Sequence, residues 1–323
     1  MSPLVAVCVC TRARPKMLRR CLMSLRRQTL DPTRLRMKAI VVDNNDEPEA
    51  RPIYEEMCDD PDGTGLVHCP EPGIPRARNA AIDAALRAGA DYIAFLDDDE
   101  VAPENWIASL VEALRALGAD AVQGGVRHHR IDLADDLSDL VDIEPCLTRA
   151  DVAATLDWEA CESLATCNVV LKAHLVRPPL ALRFDESMRY TGGSDRELFM
   201  RAHKAGARLV RVYGIDVLED LHEERQALSY QAARAFAAGS NYFARMTKNE
   251  PAPVAAMRIT MRAVDRSVTG LVKLAIAAAL LLLHRRSALR QWRKGCAQLC
   301  FAAGCVSPVA GVRANPYRNI QGA

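Results

Sequence analysis

The chain has little net charge, no low-complexity tract and no internal repeat. Its 323 residues carry 42 basic and 41 acidic side chains, a formal charge of +1, so its global electrostatics give no reason to expect a nucleic-acid partner. The absence of repeats excludes a solenoid. Half of the residues are hydrophobic, which is enough for one large domain with an appendage or for two domains.

The eleven cysteines lack the spacing of a metal site or of a disulfide framework. There is no CxxC pair and no histidine at zinc spacing, which argues against a structural zinc. The odd count and the lack of an N-terminal signal peptide predict a reducing, cytosolic compartment. We therefore expect most of these thiols, such as Cys8 and Cys10 in an apolar run, to be small core residues.

Glycine is missing where two classes of nucleotide-binding enzyme require it. Residues 8–16, at the end of the first predicted strand and beyond it, contain no glycine. A nucleotidyltransferase is expected to have a Gly-rich phosphate loop there, and a dehydrogenase a GxGxxG turn. Both classes are therefore disfavoured.

In the first half of the chain, short apolar runs alternate with segments of helical periodicity. Predicted strands cover residues 4–10, 37–42, 67–69, 92–96 and 121–126, and predicted helices cover residues 15–28, 74–88 and 103–117. This rhythm predicts an α/β domain, with a mostly parallel, Rossmann-like sheet and helices on both faces. In such sheets, ligands bind beyond the carboxyl ends of the strands.

One of these predicted strands runs directly into four acids, Asp97, Asp98, Asp99 and Glu100. Neighbouring like charges repel by about 1 kcal/mol per pair in water and by more near a protein surface. A cluster of oxygen ligands at the end of a core strand favours a hard divalent ion, Mg²⁺ or Mn²⁺. The alternative is an Asp-rich turn that leads into the next helix.

The last hundred residues are basic, and their main apolar run is short. Between residues 245 and 295 there are eleven Lys and Arg against two acids, a local charge of +9. The apolar run at 268–283 has sixteen residues and is interrupted by Lys273, whereas a spanning helix needs about twenty. Cationic flanks favour helices that lie on an anionic membrane surface. The alternative is a helical subdomain with a basic surface.

Five motifs occur in order: VAVCVCTRARP at 5–15, VVDNND at 41–46, GIPRARNAAI at 73–82, FLDDDE at 95–100 and GGSDRELFMRAHKAG at 192–206. Together they resemble family 2 glycosyltransferases of the GT-A fold, the group that builds bacterial exopolysaccharides. The resemblance implies a nucleotide-sugar-binding catalytic domain at residues 1–225 and a helical, membrane-associating region at 226–323. It also implies the transfer of a sugar from a nucleotide donor to an acceptor hydroxyl, usually with inversion.

On the donor side, the resemblance implies that the aspartates at 97–99 act as the family's DXD motif. Asp99, with Asp97, would hold Mg²⁺ or Mn²⁺ on the donor diphosphate, while Asp97 or Asp98 would face the ribose. The other matching donor positions are Thr11, Arg12, Asp43, Arg76, Arg78 and Asn79. Asp43 has an alternative as a strand-end turn residue. For Arg76 and Arg78, the alternative is that they lie in a solvated first turn of the helix, although arginine there opposes the helix dipole.

Asp195 is the candidate catalytic base. An inverting transfer needs one carboxylate to accept the proton of the attacking hydroxyl. The family usually has Glu-Asp at this position, whereas this chain has Ser194-Asp195. Helix capping is the alternative, because Ser194 and Glu197 match an S-x-x-E capping box and Asp195 suits the first turn of a helix.

Three further residues match the family less specifically. His222 lies near the position of a metal-binding histidine in many relatives, although Glu219 or Asp220 could occupy that position instead. Asn168 and Trp158 are candidates for the acceptor side, with core packing as the alternative for Trp158.

The resemblance, together with the acidic cluster, implies an inverting, metal-dependent glycosyltransferase whose donor is a nucleotide sugar. UDP-sugars are the commonest donors in the family. The acceptor would be lipid-linked or a growing polysaccharide at the inner face of a bacterial cell membrane, where the chain would be peripheral or monotopic. A different class of protein also fits this pattern, a catalytically inactive, membrane-associated scaffold. The presence of all three acids Asp97, Asp99 and Asp195 argues against it. Glu100 matches no family role, and we expect it to be a solvated turn residue.

Overall fold

The computed structural model describes residues 2–129, 156–189, 192–220, 227–281 and 284–312. Contacts divide the chain into two compact units. The first contains the described residues up to Arg189 and those from Ser194 to Asp220. The second contains Gly192, Gly193 and the described residues from 227 onwards. The predicted metal ligand His222 lies outside the described residues.

The first unit alternates strands and helices. Its helices are α1 (Pro15–Arg26), α2 (Arg51–Met57), α3 (Ile74–Arg87), α4 (Trp106–Ala116) and α5 (Ser194–Lys204). Its strands are β1 (Leu4–Thr11), β2 (Arg36–Asp43), β3 (Leu66–His68), β4 (Tyr92–Phe95), β5 (Glu100–Val101), β6 (Ala121–His129), β7 (Trp158–Cys161), β8 (Val169–Lys172) and β9 (Leu209–Asp220).

These strands form one sheet in the order β3-β2-β1-β4-β8-β6-β9-β5, with β7 also paired to β9. The predicted α/β class is confirmed, and the first four strands are parallel to one another. The second half is mixed, because β8 runs antiparallel to both β4 and β6, and β5 and β7 run antiparallel to β9. An apolar run predicts a strand but not its direction, which explains the difference.

The core lies on both faces of the sheet, as predicted. Along β1, Val5, Val7 and Val9 face a cluster with side chains of α1, α2 and α4. The intervening Ala6 and Cys8 face a second cluster with side chains of α3 and α5. This alternation follows from the two-residue period of a strand. All ten cysteines in the described residues are free thiols, in agreement with the absence of a disulfide pattern.

The parallel strands β1, β2 and β4 end at the same edge of the sheet. Thr11 pairs with Asp43 across β1 and β2, and Cys8 pairs with Phe95 across β1 and β4. Since Asp97 follows Phe95 by two residues, the polar residues beyond these strands lie near one another. This edge is where ligands bind in sheets of this kind.

The second unit consists of long helices in its described part: α6 (Leu228–Asn249), α7 (Ala252–Leu280) and α8 (Arg285–Val306). A Cβ atom on Gly239 of α6 or on Gly304 of α8 would collide with the backbone of the other helix. The two helices therefore approach closely only because these positions are glycine. Among the described residues, no helix combines the length and the apolar character needed to cross a membrane.

Asn168 is a structural residue in the middle of the sheet rather than an acceptor contact, which corrects the expectation from the sequence. Its side chain is fully buried. Its Oδ1 accepts a hydrogen bond from Trp106 Nε1 at 2.7 Å, while its Nδ2 donates to the carbonyl oxygens of Gly125 at 2.6 Å and Ile215 at 2.8 Å. One amide thus joins α4, β6 and β9.

We expect Asn168→Gly to lower the free energy of unfolding by about 2–4 kcal/mol, because buried polar groups of three neighbours lose this partner. Asn168 has a φ of 48°, which glycine adopts without strain. Alanine should cost about 1 kcal/mol more than glycine for that reason. Urea unfolding measures both changes, and a glycine variant as stable as the wild type would contradict the expected role.

Candidate functional site

The site is built where the turn after β4 meets the end of β1. Thr11, the last residue of β1, donates a hydrogen bond from Oγ1 to Asp98 Oδ2 at 2.8 Å. Both residues are about 5% exposed. The strand-end threonine therefore anchors the acidic turn, and Asp98 is held inside the protein instead of at its surface.

Arg14 is the cation shared by two of the aspartates. Its Nη1 lies 3.0 Å from Asp98 Oδ1 and 3.3 Å from Asp99 Oδ2. Asp99 is as buried as Asp98, at 4% exposure. Burial and the charges of Asp99 and Asp97 raise the pKa of Asp98 to about 7, although Arg14 and the Thr11 hydroxyl act in the opposite direction. Arg14 thus offsets part of the charge of both buried carboxylates.

Asp97 differs from its neighbours because its carboxylate is 44% exposed. Arg78 Nη2, from the first turns of α3, lies 3.4 Å from Asp97 Oδ1. Burial disfavours the charged guanidinium, but the charges of Asp97 and then Asp195 outweigh this effect and raise the pKa of Arg78. Of the three aspartates, Asp97 is therefore the one presented to solvent, next to a cation that stays charged.

Glu100 is buried, and the expectation that it is a solvated turn residue is wrong. It is 1% exposed, and its Oε2 accepts a hydrogen bond from the Asp97 backbone N–H at 2.8 Å. Its Oε1 has no hydrogen-bond partner among the described residues. Burial, reinforced by the charge of Asp97, raises its pKa well above the usual value. The cause is the pairing of β5 with β9, which turns the chain back into the sheet immediately after Asp99.

Asp43 and Arg12 are close to this edge, but local contacts occupy them. Asp43 is 1% exposed, and its carboxylate accepts hydrogen bonds from the backbone N–H groups of Asn45, Glu49 and Ala50. Arg12 donates to the Asn44 carbonyl oxygen and pairs with Asp46 at 3.2 Å. The structure thus gives Asp43 the strand-end turn role, and it does not present the Asp43 carboxylate to a ligand.

The remaining donor candidates on α3 face the segment around residue 184. Arg76 contacts the carboxylates of Glu71 and Glu186, the second at 3.0 Å. Asn79 binds the backbone of Phe184 and the Glu186 side chain. The structure therefore brings Arg78, but neither of these two neighbours, into contact with the acidic turn.

Asp195, at the start of α5, lies within electrostatic reach of Arg78 and is half-buried. Its Oδ1 accepts a hydrogen bond from the Arg196 backbone N–H at 2.7 Å. Glu197 pairs with Arg201 at 2.8 Å on the same helix. The exposed aspartate of the turn and the candidate base therefore act on the same guanidinium.

The end of β9 completes the site from the other side. Asp220 is paired with Arg20 of α1 at 2.7 Å, with both residues buried, and its backbone N–H donates to the Asp99 carbonyl oxygen. Glu219 lies 3.0 Å from His128 Nδ1. Both acids considered for the metal position thus have protein partners on their side chains.

Trp158 lies far from the acidic turn along the sheet. It is 41% exposed, and the Arg208 guanidinium stacks on its ring at 5.5 Å. Its strand, β7, pairs with the first part of β9, where Trp158 lies opposite Val212, whereas the acidic turn pairs with the last part of β9, where Glu100 lies opposite Glu219. The exposure of Trp158 argues against the core-packing alternative, and its place on the acceptor side stays a prediction.

No group of three His, Cys, Asp or Glu side chains in the described residues is placed to hold a metal ion without other ligands. The donor atoms at the acidic turn are nevertheless of the right kind, since Asp97 and Asp99 offer hard carboxylate oxygens. Mg²⁺ is usually held by one or two carboxylates together with substrate phosphates and water. The residues present fit such an ion.

Sequence reasoning missed Arg14, Arg20 and Phe184. Arg14 had a usable signal, because it stands two residues after Arg12 in the same TRARP segment. Arg20 and Phe184 had no such signal in the sequence, since each contacts a residue at least one hundred positions away. Arg20 and Asp220, for example, are 200 positions apart.

Comparisons with known proteins agree on one family. A family model described as glycosyl transferase family 2 matches residues 6–145. Succinoglycan biosynthesis protein ExoM of Rhizobium meliloti (strain 1021) is 34% identical over 238 residues, 72% of this chain and 72% of ExoM.

Among solved structures, S. aureus TarS has a TM-score of 0.49 and 14% identity, and the match covers 91% of this chain. This chain spans about half, 54%, of the length of that TarS chain. The structure of TarS 1-349 in complex with UDP has a TM-score of 0.47 and 12% identity, covering 97% of this chain and 92% of that one.

We expect Arg14→Met to lower the free energy of unfolding by about 3–5 kcal/mol, because it removes the cation shared by two buried carboxylates. Arg12→Met is the matched control in the same loop. Arg12 pairs with Asp46, which is 77% exposed, so its loss should cost about 1 kcal/mol or less. Equal losses in chemical unfolding of the two variants would contradict this assignment.

Proposed function

The chain belongs to glycosyltransferase family 2, and from this membership we propose that it is an inverting, metal-dependent enzyme that uses a nucleotide-sugar donor. The proposed acceptor is a hydroxyl of a lipid-linked or polysaccharide glycan. The relation to an exopolysaccharide biosynthesis protein supports this class of acceptor. The observation that carries the proposal is the position of Arg78, a largely buried cation whose Nη2 lies 3.4 Å from the exposed carboxylate of Asp97.

On the donor side, Arg78 would bind the diphosphate. Its guanidinium is charged, close to the acidic turn and 13% exposed, so little further desolvation is needed. A preorganised cation stabilises the negative charge that develops on the leaving phosphate. Asp97 and Asp99 would hold Mg²⁺ or Mn²⁺, which supplies Lewis-acid stabilisation of the same charge. Thr11, through Asp98, keeps the turn in place.

On the acceptor side, Asp195 would take the proton of the attacking hydroxyl. The hydroxyl oxygen forms a bond to the anomeric carbon while the bond from that carbon to the diphosphate oxygen breaks. The nucleoside diphosphate leaves with the bonding electrons, and the configuration at the carbon inverts. A carboxylate in this role contributes about 10²–10⁴ to the rate.

The second unit supports a location at a membrane surface. Along α7, apolar side chains recur every three or four residues with more than half of their surface exposed: Met257, Met261, Val264, Val268 and Leu271. We call this row the α7 stripe. The segment from residue 245 to 295 has a local charge of +9. An exposed apolar row on a cationic unit matches a helix that lies on an anionic lipid surface.

We expect Asp195→Asn to reduce sugar transfer by about 10²–10⁴ through loss of the base, with donor affinity nearly unchanged. The measurement is release of nucleoside diphosphate from UDP-, GDP- and dTDP-sugars with Mn²⁺ and a bacterial lipid extract. Chelation of the metal should abolish release by the wild type.

Glu197→Gln is the matched control, because Glu197 is a carboxylate two residues further along α5 that pairs with Arg201. It should retain nearly full activity. Undiminished release by the Asp195 variant would remove the proposed base, and no release from any donor by the wild type would favour an inactive scaffold.

We expect the full-length protein to sediment with vesicles of phosphatidylglycerol and phosphatidylcholine at low salt. The double substitution Met261→Gln and Leu271→Gln should weaken the partition at least about tenfold, since each residue buries an apolar side chain in the bilayer surface. Leu180→Gln, an exposed position of the first unit, is the control.

Failure of the wild type to bind these vesicles, even at low salt, would rule out the membrane proposal. A concentration-dependent dimer that the same double substitution abolishes would instead assign the α7 stripe to a second copy of the chain.

A further inference from the structure

Asn79 of α3 holds the backbone of one residue at two points. Its Oδ1 accepts a hydrogen bond from the Phe184 N–H at 2.8 Å, and its Nδ2 donates to the Phe184 carbonyl oxygen at 3.0 Å. The same Nδ2 also donates to Glu186 Oε1 at 3.1 Å. An amide side chain that satisfies both polar groups of a single residue fixes the position of that residue more firmly than either bond alone.

The ring fixed in this way connects the acidic turn to Arg78. Phe184 is 2% exposed and meets the Phe95 ring edge to face, with centroids 5.8 Å apart. Phe95 ends β4, two residues before Asp97. The guanidinium carbon of Arg78 lies 5.8 Å from the centroid of the Phe184 ring, within the range of a cation–π contact.

Arg78 is therefore held by two different contacts. The Phe184 ring contacts its guanidinium, and Asp97 faces it at 3.4 Å. The Asp97 distance is at the long end for an ion pair, and the Asp97 carboxylate is partly in water, so that contact by itself fixes the guanidinium only loosely. The aromatic contact therefore adds a second restraint on the position of the long side chain.

Other contacts hold the same stretch of chain without involving the Phe184 backbone. Residues 182–186, which we call the strap, are also tied to α3 by the Arg183–Asp83 pair at 2.8 Å and by the Arg76–Glu186 pair at 3.0 Å. These pairs are at the surface, and neither reaches the ring. The special contribution of Asn79 is thus the placement of Phe184, and through it of Arg78.

We propose that Asn79 is a positioning residue that presets the Arg78 guanidinium for a donor diphosphate, acting through the Phe184 ring and without touching the donor. This inference rests on the proposed function for the identity of the ligand. It replaces the expectation that Asn79 binds the donor directly. Preset side chains lose less freedom on binding, so the effect should appear in affinity for the nucleotide.

The test compares Asn79→Ala, Phe184→Leu and the double variant, with Asp83→Ala as the matched control that loosens the strap elsewhere. Phe184→Leu keeps both backbone bonds to Asn79 and most of the core volume, so it tests the ring should the Asn79 variant fold poorly. Calorimetry measures binding of UDP, GDP and dTDP with Mn²⁺. Peptide mass spectrometry measures the rate at which phenylglyoxal modifies Arg78 with no nucleotide present.

We expect each single variant to bind the preferred nucleoside diphosphate about tenfold more weakly. The double variant should lose little further affinity, because both substitutions act on Arg78 through the same ring. Arg78 should react several-fold faster with phenylglyoxal in all three. Asp83→Ala should lower thermal stability and leave both readouts unchanged.

Unchanged phenylglyoxal reactivity of Arg78 in the Asn79 and Phe184 variants would overturn the inference, whether or not a nucleotide binds. Multiplicative losses of affinity in the double variant, or an equal loss in Asp83→Ala, would also overturn it. If the wild type binds none of the nucleotides, the proposed function fails by itself, and the labelling rates alone decide whether Asn79 presets Arg78.

Discussion

The negative charge at the carboxyl edge of the sheet is the constraint on which the first unit depends. Residues 97–100 are consecutive acids, and Asp220 is joined to the same turn by its backbone N–H. Three arginines offset this charge: Arg14 before α1, Arg20 within α1 and Arg78 within α3. Because α1 and α3 pack on opposite faces of the sheet, these arginines reach the acidic edge from both faces.

The four consecutive acids are not equivalent once this compensation is in place. Asp98 and Asp99 are buried with Arg14, and Glu100 is buried with a raised pKa and closes the turn on the Asp97 backbone. Only the Asp97 carboxylate has substantial exposure, and it faces Arg78. The three buried acids therefore give the turn its shape, and Asp97 is the acid most open to solvent. A site organised before the ligand arrives has little reorganisation left to perform during reaction.

Several features could be predicted from the sequence because they depend on local pattern. The two-residue and helical periods marked the strands and helices of the first unit, and parallel strand direction placed Thr11 and the acidic turn at one edge. The five ordered motifs predicted the family, which the comparisons confirm. The sequence also showed that the apolar run at 268–283, sixteen residues interrupted by Lys273, is shorter than a spanning helix needs.

Tertiary structure alone decided which side chains meet. The direction of β8, the burial of Glu100 by the β5–β9 pairing and the buried amide of Asn168 have no local signature. The Asn79–Phe184 contact joins residues 105 positions apart. Residue type determines which hydrogen bonds and charges a side chain offers, and the sequence shows this directly. The partner of a side chain and the dielectric around it depend on how distant segments pack. Asp97, Asp98 and Asp99 are the same residue type in the sequence, and only the fold gives them different partners and burial.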